Sequence, residues 1–144
     1  MRSPGSWGSA RSPHIRTLTE LSSRGWRVLC VDDAELALAL RARILETKGY
    51  AVTTSNNAVQ VAETFESGKF DLAVLDYEMP TMNGGQLAAR LKTACPELKI
   101  ILYTGASDVG RQELSFVDAM IHKSDGIEEL LAEIEILLPQ PTEH

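Results

Sequence analysis

Leu72, Ala73, Val74 and Leu75 form a run without a polar side chain, followed at once by Asp76 and, four residues later, by Pro80. A short segment apolar at every position reads as a strand buried on both faces, which requires a sheet covered on both sides. Pro80 cannot continue a central strand, so the chain must leave the sheet before it. Asp76 is thus carried out of a hydrophobic sheet and left at the strand's carboxyl edge, where open parallel sheets collect ligands and chemistry. A lone aspartate there is more often a plain turn residue, so its meaning depends on its company.

The same grammar recurs along the chain. Residues 27–31 read as a buried strand running into Asp32 and Asp33, and residues 51–54 as a second short strand. Residues 99–103 read as a fourth strand ending on Thr104 and Gly105, and residues 119–122 as a fifth ending on Lys123. Helical spacing falls between them. Residues 35–48 carry Leu36, Leu40 and Ile44 four apart with Leu45 beside them, and Gly49 stands where a left-handed cap is wanted. Residues 58–65 place Val61, Ala62 and Phe65 on one face, with a stop at Gly68. Residues 86–94 follow a loop with a Pro and two glycines and end at Pro96. Residues 109–114 predict a weakly anchored, mobile fourth helix. Residues 127–138 carry Ile127, Leu130, Leu131, Ile134, Leu137 and Leu138 as a core-facing stripe, with Asp125 and Glu128 suited to a capping box and Pro139 to a stop. Strands and helices alternating through short loops predict an α/β fold with a parallel sheet covered on both faces.

Composition limits the alternatives. The chain has 144 residues, 44% hydrophobic and 24% charged, which suits one soluble globular domain. No apolar run approaches a membrane span. Cys30 and Cys95 make neither a metal pattern nor a disulfide framework and read as small buried hydrophobes of a reducing cytosol. Residues 1–24 are rich in Ser, Gly, Arg and Pro and lack apolar periodicity. They are expected to form a flexible tail, with at most a helical turn at residues 17–21. That segment holds four of the 14 basic residues and one of the 20 acids, leaving 10 against 19, or −9, for the rest. So acidic a remainder argues against direct nucleic-acid binding. The expected domain runs over residues 25–139, with a short tail at 140–144.

Right-handed crossovers place Asp32, Asp33, Asp76, Thr104 and Lys123 on one rim of such a sheet. Three converging carboxylates repel one another and call for cations. A hard divalent ion such as Mg²⁺, held by carboxylates and a carbonyl, and the fixed ammonium of Lys123 answer that need. The outline is that of a phosphoryl-transfer site, with Asp76 on the middle strand as nucleophile, Asp32 and Asp33 as metal ligands, and Thr104 and Lys123 on phosphoryl oxygens.

Val31-Asp32-Asp33, Asp76-Tyr77-Glu78-Met79-Pro80, Met82-Asn83-Gly84, Thr104-Gly105-Ala106 and Lys123 together resemble the motifs of response-regulator receiver domains from two-component signalling. The resemblance covers residues 26–138 and implies a flavodoxin-like doubly wound sheet of five strands, order 2-1-3-4-5, with five helices. It implies Asp76 as phospho-acceptor, and Mg²⁺ held by Asp32, Asp33, Asp76 and the backbone carbonyl of Glu78. Thr104 and Lys123 are implied as phosphoryl contacts. The donor implied is a histidine kinase or a histidine phosphotransfer protein, the compartment the cytoplasm. Output is expected through a protein partner, through relay of the phosphoryl group, or through a homodimer formed by the fourth helix, fifth strand and last helix. Enzymatic activity is expected only as self-phosphorylation and slow self-dephosphorylation.

Two departures concern switching. Ser124 stands where the family usually has Pro after the lysine, so a trans Lys123–Ser124 peptide and a reshaped loop are expected. Met120 stands where an aromatic is usual, and with Thr104 forms the expected switch pair. With six residues after Leu138, a stand-alone receiver is expected. An aspartyl-nucleophile phosphohydrolase of the haloacid-dehalogenase type would want Asp where Glu78 stands, and a lid domain. A receiver-like module that binds partners without phosphorylation would not need the whole set of Asp32, Asp33, Asp76, Thr104 and Lys123.

Overall fold

The computed structural model describes residues 25–106 and 109–139. The two expected tails, including the helical turn at 17–21, lie outside the described residues. The elements are β1 (Arg27–Val31), α1 (Glu35–Thr47), β2 (Ala51–Ser55), α2 (Ala58–Thr64), β3 (Leu72–Leu75), α3 (Gly84–Ala94), β4 (Lys99–Thr104), α4 (Arg111–Leu114), β5 (Ala119–His122) and α5 (Ile127–Leu137). A 3-10 turn, Lys123–Asp125, joins β5 to α5. All strand pairs are parallel and the order is β2-β1-β3-β4-β5, the flavodoxin-like doubly wound sheet.

Alternation along the strands divides the core in two. Leu29, Val31, Ala73, Leu75, Ile100 and Leu102 face α2 and α3 through Val61, Leu87 and Leu91. Val28, Cys30, Leu72, Val74, Ile101 and Tyr103 face α1 and α5 through Leu38, Leu45, Leu130 and Ile134. Each fully buried aliphatic side chain contributes about 1.5–3 kcal/mol, so the central strands, apolar on both faces, anchor the fold. Cys30 and Cys95 are free and buried, and burial pushes the Cys30 thiol up to about 12.

Several details correct the sequence reading. Leu36 and Leu40 are 75% and 63% exposed; the buried stripe of α1 is Leu38, Arg41, Ala42 and Leu45. The alternating Leu-Ala-Leu-Ala-Leu stretch offers two stripes at helical spacing, and the phase set on leaving Asp33 selects the other one. Helix α3 starts at Gly84 rather than Gln86 because Asn83 and Gln86 cap each other: the Gln86 amide donates to Asn83 Oδ1 and the Asn83 amide to Gln86 Oε1. The fourth helix shrinks to one turn and buries none of its residues. At α5 the N-cap is Gly126, φ 95°, without a side-chain cap, so the expected Asp125–Glu128 capping box does not form. Asp125 is taken up in the 3-10 turn instead. The α5 stripe itself packs as expected, with Leu130, Ile134 and Leu138 buried. No cis peptide occurs among the described residues, so the Lys123–Ser124 bond is trans, as expected with Ser in place of Pro.

Candidate functional site

Parallel pairing aligns the carboxyl ends of β1, β3 and β4, and each strand hands one polar residue to the same rim. The Asp76 amide donates to Val31 O (2.9 Å) and the Asp32 amide to Ser55 O (3.2 Å), extending the ladder by one residue at each aspartate. Both carboxylates are therefore held by backbone that is still sheet-like. Asp76 is 6% exposed and Asp32 1%, whereas Asp33 is exposed. One carboxylate oxygen from each of Asp32, Asp33 and Asp76 lies within 4.8 Å of the others.

Lys123, delivered by β5 into the 3-10 turn, bridges the group. Its Nζ lies 3.1 Å from Asp32 Oδ2 and 3.0 Å from Asp76 Oδ1. Asp32 is further anchored by the Ala34 amide, which donates to Oδ1 (3.0 Å), and by Arg41 Nη2, which donates to Oδ2 (3.1 Å). The consequences for ionisation diverge. Burial pushes the Asp76 carboxyl up most strongly; the Lys123 hydrogen bond opposes this, Asp32 and Asp33 add to it, and the net shift is upward. Burial also raises Asp32, but the Ala34 amide, Lys123 and Arg41 outweigh it and the net shift is downward. For Lys123 burial acts downward, but its bonds to Asp76 and Asp32 prevail and hold the ammonium above its usual range. Of the two buried carboxylates, Asp76 is thus the less comfortable with its charge and Asp32 the better compensated.

Thr104 is fully buried at the end of β4, and its Oγ1 accepts from the Ala106 amide (2.8 Å). Strand register sets Thr104 opposite His122, one residue before Lys123, so the two predicted phosphoryl contacts emerge side by side. Glu78 is exposed on the loop two residues past Asp76. Met120 pairs with Leu102 in the β4–β5 ladder and packs, partly buried, on the core face lined by α2 and α3. In the loop after β3, Thr81 adopts φ 72°, a left-handed conformation unusual for a β-branched residue.

Two residues at this rim were not anticipated. Arg41 is buried from within α1, its guanidinium 4.9 Å from the centroid of the Tyr103 ring. Its signal in the sequence was the stripe 38-41-42-45, hidden by the overlapping Leu pattern. Glu113 links α4 to the loop after β3: its Oε1 accepts from Tyr77 Oη (2.6 Å) and its Oε2 from Asn83 Nδ2 (3.1 Å). The Tyr77 bond is the main cause of its lowered pKa, with burial acting against it and Asn83 and the Gly110 amide adding to it. Nothing in the sequence marks Glu113 off from other surface acids.

The donor set is all oxygen, carboxylate-rich and confined to a small volume, which fits a hard divalent cation such as Mg²⁺. A doubly wound sheet thus carries this acidic cluster and a bridging lysine together on its carboxyl rim. The sequence matches the response regulator receiver domain over residues 28–135, and the chain belongs to that family. It is therefore a receiver domain of the two-component type. Among relatives, it is 30% identical over 102 residues to the autoinducer 1 sensor kinase/phosphatase LuxN of Vibrio campbellii, covering 71% of this chain and 12% of that protein. It is 30% identical over 115 residues to the response regulator MprA of Mycobacterium leprae, covering 78% of this chain and 50% of that protein. The chain thus spans at most half the length of these relatives. Among solved structures, the response regulator TrrA of Thermotoga maritima in complex with Mg²⁺-BeF is 32% identical, with a TM-score of 0.73 over 78% of this chain and 99% of that one. The same regulator in complex with the histidine kinase ThkA gives a TM-score of 0.71 at 32% identity, over 78% of this chain and 98% of that one. No described helix is long and apolar enough to cross a membrane.

Proposed function

We propose that Asp76 is the phospho-acceptor of this receiver, taking its phosphoryl group from a histidine kinase or a histidine phosphotransfer protein. The observation that carries the reading is Asp76 itself: a nearly buried carboxylate at the end of the central strand, bridged by Lys123 to Asp32 and within reach of Asp33. An Asp76 carboxylate oxygen attacks the phosphorus of a phosphohistidine. A P–O bond forms, the P–N bond breaks, and the departing imidazole keeps the electron pair and takes up a proton. Asp32, Asp33, Asp76 and the backbone carbonyl of Glu78 would hold Mg²⁺, which when bound neutralises charge on the phosphoryl oxygens. Lys123 would exchange its contact with Asp76 Oδ1 for a phosphoryl oxygen, and Thr104 would turn its hydroxyl from the Ala106 amide toward another.

The donor docks next to the rim. Exposed Leu36 and Leu40 lie on α1, which begins two residues after Asp33, and offer apolar contact to a helical donor beside the acceptor. The modified domain signals through α4, β5 and α5, to a protein partner, to a second copy of itself, or by passing the phosphoryl group on. Its only catalysis is self-phosphorylation and slow return to the free carboxylate. The cytoplasm is the compartment proposed. Fluorine NMR of beryllofluoride, a mimic of the phosphoryl group, tests the site: a bound signal is expected only with Mg²⁺ and is lost in Asp76→Asn. A bound signal independent of Mg²⁺, or retained in Asp76→Asn, would overturn the assignment.

A further inference from the structure

Arg41 stands in a position that helix geometry reserves for an apolar side chain. Its neighbours on the buried stripe of α1 are Leu38, Ala42 and Leu45, and it is itself 6% exposed. A guanidinium buried there is costly unless paired. Its carboxylate partner is Asp32, through Nη2 to Oδ2 at 3.1 Å, and its seat is the Tyr103 ring. Lys123 Nζ stands 5.9 Å from the centroid of the same ring and 3.1 Å from the same Asp32 oxygen. One carboxylate oxygen thus receives two fixed cations, while its companion oxygen is occupied by the Ala34 amide.

We infer that Arg41 is a positioning residue that sets the divalent-cation affinity of the receiver site, acting through Asp32. This rests on the metal reading given above. Three carboxylates with Lys123 alone would leave the rim doubly negative; Arg41 removes half of that excess from within the core. It holds Asp32 paired whether or not Lys123 is engaged elsewhere. When Lys123 moves to a phosphoryl oxygen, Asp32 keeps a partner and the exchange is eased. The cost is a weaker pull on the metal, because a resident positive charge opposes an incoming one.

The test is Mg²⁺ titration of the phosphate-free protein by isothermal calorimetry, comparing wild type with Arg41→Gln, Arg41→Met and Arg41→Lys, each confirmed folded by circular dichroism. Gln keeps a donor without the charge, Met fills the space with neither, and Lys keeps the charge. The expected result is at least about fivefold tighter Mg²⁺ binding in the Gln and Met variants, with the Lys variant within about twofold of wild type. Packing alone would move Gln and Lys together, and that result would overturn the inference. Unchanged or weaker binding in Gln and Met would do the same while leaving the metal site standing. If neither wild type nor any variant binds Mg²⁺, the metal reading and the inference fall together.

Discussion

Replacing Gly84 by Ala ties packing to phosphorylation at a single atom. Gly84 opens α3, and its amide donates to Tyr77 O (2.9 Å). A Cβ built there would lie 2.3 Å from the backbone oxygen of Asp76 and 2.8 Å from Leu102 Cδ1. Ordinary carbon contacts are about 3.5–4.0 Å, so roughly 1 Å of relief is required. Leu102 can turn its methyl aside, but the Asp76 carbonyl moves only if the end of β3 moves with it. Two effects oppose each other. Ala is the better helix former by at most about 1 kcal/mol, and overpacking a tight site costs about 1–3 kcal/mol. Overpacking is expected to win, with a net loss of about 1–2 kcal/mol and a fall in Tm of roughly 4–10 °C. Misplacing a reacting group by about 1 Å can cost about 100-fold in rate, so the initial rate of labelling by acetyl phosphate with Mg²⁺ should drop at least about tenfold. Thermal unfolding by circular dichroism and labelling time courses measure the two effects. An Ala variant as stable as wild type and equally well labelled would refute the reasoning, because the Asp76 backbone would then not be wedged against α3.

Other outcomes follow from the same geometry. Mg²⁺ at tenfold excess over its Kd should stabilise the unmodified protein by about 1.4 kcal/mol, with the response lost in Asp33→Ala; melting indifferent to Mg²⁺ would contradict the metal assignment. Asp118 sits below the usual carboxylate range because its bonds from Lys92 and the Ile100 amide outweigh the opposing effect of burial. A depressed folded pKa means that the unfolded chain binds the proton more readily. Its stabilisation is therefore complete above the unfolded value near 3.8 and lost as pH falls through the folded one. Asp118→Asn should flatten the acid limb of stability against pH, and an unchanged limb would refute the pairing. Beryllofluoride with Mg²⁺ should change amide exchange most across residues 104–123, where Glu113 ties α4 to Tyr77 and Asn83. A change confined to the loops of Asp33 and Asp76 would mean that no signal reaches α4.

What was legible in the sequence was whatever depends on strand burial. Leu72–Leu75 and the Ile100–Leu102 stretch of β4 are apolar on both faces, so their burial in a sheet covered on both sides and the polar residues that follow them were readable from pattern, whereas the strand order came with the family resemblance. Asp32, Asp33, Asp76, Thr104 and Lys123 could be named because each stands at the carboxyl end of a strand legible in the sequence. Helix phase was less legible. In α1 two apolar stripes overlap, and only the three-dimensional exit from Asp33 decides that Leu38 rather than Leu36 goes inside. The same ambiguity concealed Arg41. The α5 start turned on backbone conformation at Gly126, which no side-chain pattern announces. Glu113 matters through contacts to residues 30 and 36 positions away, beyond any local signal.

Intact-protein mass spectrometry after incubation with acetyl phosphate and Mg²⁺ tests the central claim most directly, with wild type and Asp76→Asn run side by side. One phosphate on wild type, absent without Mg²⁺ and absent from the Asn variant, is the predicted result. Equal labelling of the Asn variant would contradict the claim that Asp76 is the acceptor.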